Sequence, residues 1–106
     1  MNSFDDRKKG FEAKYKQDQE AQFKIRALRN KLVGEWAATL VKPTDIENYI
    51  KEVRISDLEK PGDDDLIDKL VVDFKSKNLN IEREEIIKKI SECEENAIQI
   101  FIKDQQ

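Results

Sequence analysis

AQFKIRALRNKLVGEW, residues 21–36, is the stretch that decides the fold. Its apolar side chains recur every three or four residues, at Ala21, Ile25, Leu28, Leu32 and Trp36. This spacing places them on one face of an α-helix, which buries that face in a core. Because no proline occurs before residue 43, the pattern predicts one long first helix over residues 4–40.

Three further amphipathic segments follow, each bounded by helix-stop or helix-start residues. Pro43 and a capping box at Thr44 and Glu47 predict the start of the second helix, Pro61-Gly62 a break, and Asn80 the N-cap of the fourth. The predicted apolar faces are Ile46, Tyr49, Ile50 and Val53; Leu66, Ile67, Leu70, Val71 and Phe74; and Ile86, Ile90, Cys93, Ala97 and Phe101. Short connections favour antiparallel neighbours, so the sequence predicts an all-α, antiparallel four-helix bundle.

Composition narrows the function classes. The chain has 106 residues, of which 41% are charged, and a net charge of −3. It lacks histidine and has one cysteine, Cys93, which excludes histidine-based catalysis, histidine metal sites and an internal disulfide. The sequence gives no sign of a signal peptide, a membrane span, a phosphate loop or a basic surface for nucleic acid. We therefore expect a cytoplasmic protein that is not an enzyme and holds no metal.

Two chemically suggestive features have structural interpretations. Asp63, Asp64 and Asp65 suit a helix N-terminus, and a calcium loop counted from Asp63 would need a glutamate where Phe74 stands. Cys93 lies on the apolar face of the fourth helix and is predicted to be a buried, unreactive thiol.

Charge is distributed unevenly along the chain. Residues 21–42 hold five basic residues and only one acidic residue, Glu35, whereas residues 43–68 hold nine acidic and three basic residues. A basic first helix beside an acidic middle segment favours their packing, although exposed ion pairs contribute little.

The first 20 residues form a separate predicted unit. Phe4, Phe11 and Tyr15 fall within about 40° of one another on a helix, roughly 80° away from the stripe of residues 21–36. They either fold back onto the bundle or belong to a separable, loosely helical arm that docks on a partner. We therefore divide the chain into an arm, residues 1–20, and a bundle, residues 21–106.

Continued along the first helix, the face of the arm becomes polar. It carries Arg26 and Arg29, which are either solvated or form an anion or partner contact. Phe23 lies nearly opposite the core stripe and is either covered by a neighbouring helix or a contact residue.

Three blocks resemble a known family. FDDRKKGFEAKY (residues 4–15), RNKLVGEWAA (residues 29–38) and KPGDDDLIDKLVVDF (residues 60–74) are similar to sequences of the alphaproteobacterial zeta subunit of F-type ATP synthase. The resemblance implies a regulatory inhibitor whose N-terminal arm inserts at a catalytic alpha/beta interface and blocks ATP hydrolysis. Gly10, where alanine is usual, and Leu28, in place of a basic residue, depart from the family pattern.

The resemblance also implies partners and contact residues. The expected partners are the alpha, beta and gamma subunits of the catalytic sector, which would hold the protein peripherally at the inner membrane. The arm residues that match are Phe4, Asp5, Asp6, Arg7, Phe11, Glu12, Lys14 and Tyr15. The family is also linked to adenine nucleotides, which implies at most weak binding of ATP or ADP. No resident cofactor is expected. Arg26, Arg29 and Lys31 are the basic cluster nearest to such a role. The alternatives are therefore an adenine-nucleotide-binding helical protein and a generic helical adaptor.

Overall fold

The computed structural model describes residues 18–58 and 62–104 and places them in four helices with no strand among them. We number the helices α1 (Gln19–Val41), α2 (Ile46–Ser56), α3 (Asp64–Ser76) and α4 (Arg83–Asp104). The predicted all-α class and the four helical segments are thus confirmed for the described residues. The arrangement fits a four-helix bundle, while the antiparallel order stays a prediction.

Helix α1 starts later than the sequence predicted. Asp18 is its N-cap, with extended dihedral angles of φ −90° and ψ 97°, and its carboxylate accepts a 3.0 Å hydrogen bond from the backbone N–H of Ala21. A single helix over residues 4–40 is therefore wrong at Asp18, because an aspartate that caps a helix stops it from continuing backwards. Residues 1–17 lie outside the described residues. The comparison of the arm's face with the core stripe assumed one continuous helix, so it loses its basis.

The turn between α1 and α2 also differs from the prediction. Lys42 adopts the left-handed conformation, with φ 53°, and donates its backbone N–H to the carbonyl oxygen of Ala38. The predicted capping box is wrong by one residue: the N-cap is Asp45, whose carboxylate accepts from the backbone N–H of Asn48 at 3.0 Å.

Helix α1 is the central element, and it contacts all three other helices. Ala21 and Ile25 of the predicted stripe are buried, but Leu28, Leu32 and Trp36 are only partly buried, because burial extends to other faces of α1. The other buried residues of α1 are Arg29, Asn30, Val33, Gly34, Ala37, Ala38 and Val41. Gly34 allows α2 to approach closely, since a Cβ atom there would lie 3.2 Å from the Cα atom of Ile50.

The core faces of the other helices largely match their periodicity. The buried members are Tyr49, Val53, Leu66, Ile67, Leu70, Phe74, Ile86, Ile90, Cys93, Ala97, Ile98 and Phe101. Trp36 packs edge-on against Phe74, with ring centroids 5.5 Å apart. Ile46 was predicted to be in the core but is 56% exposed, because it is the first residue of α2 and projects beyond the packed part of the helix.

The connection from α3 to α4 contains a second correction to a cap. Asn78 has a φ of 58°, a left-handed conformation that asparagine tolerates better than most residues. Helix α4 begins at Arg83, three residues after Asn80, so the prediction that Asn80 is the N-cap is wrong. Instead, the intervening Leu79 and Ile81 pack against the core. None of the four described helices is long and apolar enough to cross a membrane.

Candidate functional site

Three side chains of α1 converge on one buried carboxylate. Arg26 makes a bidentate contact with Asp57, donating through Nε at 2.6 Å and through Nη2 at 3.0 Å. Asn30 donates to the same carboxylate through Nδ2 at 2.7 Å, and Arg29 through Nη2 at 3.3 Å. The spacing of residues 26, 29 and 30 puts all three on one side of the helix, opposite the C-terminal end of α2, where Asp57 is the C-cap.

A second carboxylate completes the cluster from the start of α3. Arg29 Nη2 lies 2.9 Å from Asp63 Oδ1, and Arg26 Nη2 lies 3.5 Å from the same oxygen. Arg26 also donates to the carbonyl oxygen of Gly62 at 2.9 Å. Both ends of the connection between α2 and α3 are thereby fastened to α1. We call Arg26, Arg29, Asn30, Asp57 and Asp63 the ionic cluster.

The use of Asp63 differs from its predicted role. It occupies the N-cap position of α3, as expected, but its side chain makes no capping hydrogen bond. The carboxylate faces Arg29 instead. Asp64 and Asp65 lie in the first turn, where their charge is favourable to the helix dipole.

Burial sets the energetic weight of the cluster. The side chain of Asp57 is fully buried, that of Arg29 is 5% exposed and that of Arg26 is 41% exposed. The hydrogen bond to Asp57, and then the charges of the two aspartates, raise the pKa of Arg26 against the opposing effect of burial. Removing one member of a buried ion pair leaves an uncompensated charge, so a substitution of Asp57 or Arg29 should destabilise the fold strongly.

The cluster bears on the predicted roles of the basic residues. Arg26 and Arg29 do come together, whereas Lys31 is exposed and lies outside the cluster. The interpretation of a solvated face is wrong for Arg29, because its guanidinium is buried against two carboxylates. An adenine nucleotide would meet two arginines whose charge two aspartates already balance. A nucleotide contact at Arg26, Arg29 and Lys31 stays a prediction that no observation here favours.

Two concave surfaces adjoin the ionic cluster. A cavity of about 360 Å³ is lined by Gln19, Gln22, Phe23, Ile25, Arg26, Arg29 and Glu94. A narrower groove between α1 and α2 is lined by Phe23, Arg26, Ala27, Asn30, Arg54 and Leu58. Phe23 belongs to both surfaces and is 67% exposed, so the described helices do not cover it.

Cys93 and Tyr49 illustrate groups that are buried for structural reasons. Cys93 is 4% exposed, and burial raises the pKa of its thiol, in agreement with the predicted buried thiol. The hydroxyl of Tyr49 donates to Asp73 at 2.7 Å, and burial followed by this hydrogen bond raises the pKa of Tyr49. Lys69 lies 3.1 Å from the same aspartate and tethers it. Within the described ranges, no three cysteine, aspartate or glutamate side chains are placed to hold a metal ion.

Sequence reasoning missed the central residue of the cluster. Asp57 was one of nine acidic residues in the middle segment, and nothing local distinguishes it from its exposed neighbours. The signal that could have found it is the charge asymmetry together with Arg26, Arg29 and Asn30 on one helical face. Three side chains that donate hydrogen bonds from one helical face predict that an acidic residue of the acidic segment is buried against them. The predicted arm contacts, Phe4, Asp5, Asp6, Arg7, Phe11, Glu12, Lys14 and Tyr15, lie outside the described residues.

Comparison with known proteins identifies one family. The family model described as ATPase inhibitor subunit zeta matches residues 1–100. The comparison with curated proteins gave no match. The family match spans the predicted arm, the ionic cluster and all but the last residues of α4.

Proposed function

The chain belongs to the ATPase inhibitor subunit zeta family, and we propose that it inhibits ATP hydrolysis by inserting its N-terminal arm at a catalytic alpha/beta interface of F-type ATP synthase. The observation that carries the proposal is the family match, which begins at residue 1 and so includes the arm. An inhibitor of this kind acts by occupying a site and needs no chemistry of its own.

The start of α1 supports a division between arm and body. Asp18 caps the helix through the backbone N–H of Ala21, and Ala21 is the first buried residue of α1. A capped helix end is a natural junction, because it satisfies a backbone donor without help from the preceding residues. This junction lies within three residues of the proposed boundary between residues 20 and 21.

The arm's sequence supports a helix-in-groove contact. Phe4, Phe11 and Tyr15 share one face once residues 4–15 are helical, and aromatic side chains are effective anchors in such contacts. Opposite charges four residues apart, such as Glu12 and Lys16, assist helix formation on binding. The proposed partners are the alpha, beta and gamma subunits, on the cytoplasmic side of the inner membrane.

The test is ATP hydrolysis by the purified cognate catalytic sector with full-length wild type, Phe11→Ala, Lys16→Ala and a chain lacking residues 1–17. Deletion to residue 17 keeps Asp18 and therefore the cap of α1. Loss of one aromatic anchor typically costs about 2 kcal/mol, so Phe11→Ala should raise the half-inhibitory concentration roughly thirtyfold. Lys16→Ala is the matched control and should change it far less.

The deletion separates the arm from the body. Circular dichroism should show that the shortened chain keeps its helices, and it should no longer inhibit. Full inhibition by the shortened chain would refute the proposal. Equal, small losses for Phe11→Ala and Lys16→Ala would refute the aromatic anchoring but leave the arm as inhibitor.

A further inference from the structure

Two apolar side chains that line the groove between α1 and α2 are unusually exposed. It encloses about 120 Å³, with Phe23 of α1 on one side and Leu58, just beyond α2, on the other. Phe23 is 67% and Leu58 68% exposed, more than any other large apolar side chain among the described residues. Single exposed apolar residues are ordinary, whereas two that line one groove make it a candidate docking surface.

The base of this groove is held by the ionic cluster. Asn30 lines the groove and donates to Asp57, and Arg26 lines it and binds the same carboxylate. Leu58 directly follows Asp57 and donates its backbone N–H to the carbonyl oxygen of Ile55 at 3.0 Å. The two apolar side chains therefore project from a fixed support, and a partner would not have to order that support on binding.

Exposed cations lie in and near the groove. Arg54 lines the groove, is exposed and makes no ion pair with a described residue. Lys31 lies one helical turn beyond Ala27 on α1, and Lys51 lies about one turn before Arg54 on α2; both are exposed and form no ion pair within the described ranges. Of the acids on the same two helices, Glu20 pairs with Lys24 at 3.1 Å and Glu52 with Lys69 of α3 at 3.8 Å, so neither is paired with these cations.

We propose that this groove docks an acidic, amphipathic surface segment of the ATP synthase catalytic sector, a second contact that rests on the proposed function. Apolar side chains of that segment would cover Phe23 and Leu58, while its carboxylates would face Arg54, Lys31 and Lys51. The positive charge around the groove favours an acidic partner, and the two exposed apolar side chains favour an amphipathic one.

The position of the groove makes such a contact accessible to the protein that holds the arm. Phe23 follows Asp18, where the arm joins α1, by five residues, or about 7.5 Å along the helix. A partner bound to the arm therefore has the groove within reach. A second contact beside the first raises the effective concentration and slows dissociation without any change in the arm itself.

The experiment uses full-length Phe23→Ser, Leu58→Ser and Arg54→Gln, with Val72→Ser as the matched control. Val72 is 64% exposed on α3 and does not line the groove. Half-inhibitory concentrations and dissociation rates are measured with the purified catalytic sector at low and high salt, after circular dichroism confirms the fold. Each apolar variant should raise the half-inhibitory concentration about tenfold, mainly through faster dissociation. Arg54→Gln should raise it several-fold at low salt and less at high salt.

The outcomes separate the groove from the arm. Groove variants that inhibit as well as wild type, while Phe11→Ala does not, would overturn this inference and leave the proposed function standing. A lower half-inhibitory concentration would also overturn it, because it would mean that the groove restrains the inhibitor. So would an equal loss for Val72→Ser. A wild-type protein that does not bind the catalytic sector would remove both proposals.

Discussion

Asp57→Asn should destabilise the protein far more than its location at the end of α2 suggests. The carboxylate accepts four hydrogen bonds, two from Arg26 and one each from Arg29 and Asn30. Asparagine keeps the shape but offers one acceptor oxygen, so at least one donor would face an NH₂ group. The substitution also removes the charge that compensates Arg29, whose side chain is 5% exposed.

The magnitude follows from burial. Breaking a buried ion pair by removing one partner costs about 3–5 kcal/mol. Two features reduce the cost here: Asp63 still pairs with Arg29 at 2.9 Å, and Arg26 is 41% exposed and can be hydrated. Loss of a negative charge at the C-terminal end of α2 returns about 0.3–1 kcal/mol through the helix dipole. We therefore expect a net loss of about 2–3 kcal/mol, which is a large share of the stability of a small domain.

Urea denaturation followed by circular dichroism measures this loss directly. At a slope of roughly 1–3 kcal/mol per M, the midpoint should fall by about 0.7–3 M. Asp68→Asn is the matched control, because Asp68 pairs with Arg83 at 2.9 Å but the two side chains are 63% and 48% exposed. Its cost should stay below about 1 kcal/mol. If the two variants lost the same stability, the ionic cluster would not be what holds the α2–α3 connection to α1.

Two further predictions concern groups whose pKa the fold raises. Burial and Asp73 raise the pKa of Tyr49, so the unfolded chain loses this proton near pH 10 while the folded protein keeps it. The free energy of unfolding, measured by urea denaturation, should therefore fall as pH rises above about 10, and it should fall less steeply in Tyr49→Phe. The same pH dependence in the two proteins would contradict this. Cys93 is 4% exposed with a raised thiol pKa, so iodoacetamide at pH 8 should modify the native protein at least tenfold more slowly than the urea-unfolded chain. Equal rates, measured by mass spectrometry, would show that the thiol is accessible.

The candidate surfaces were only partly predictable. Phe23 could be identified from the sequence as a residue off the core stripe, but whether it was covered depended on where α2 lies. Leu58 gave no signal, because it follows the last turn of α2 and its exposure depends on Asp57 being drawn towards α1. Arg26 and Arg29 were identified as a pair, yet their partners come from the connection between two other helices.

By itself, the sequence determined the all-α class, the four helical segments and most of the buried apolar positions. Helical periodicity is a local property, since residues three and four apart share a face whatever the rest of the chain does. The three sequence blocks also sufficed to identify the family, which the match over residues 1–100 confirms.

Only the tertiary structure decided how polar residues are used. Arg29 and Asp57 are 28 residues apart in the chain, and their burial requires α1 and α2 to pack side by side. The same packing placed Gly34 against Ile50 and buried several faces of α1, where one stripe was expected. The capping aspartate of α2, Asp45, competes with the equally suitable Thr44 beside it. The choice between them depends on where α2 must start to bury its apolar face.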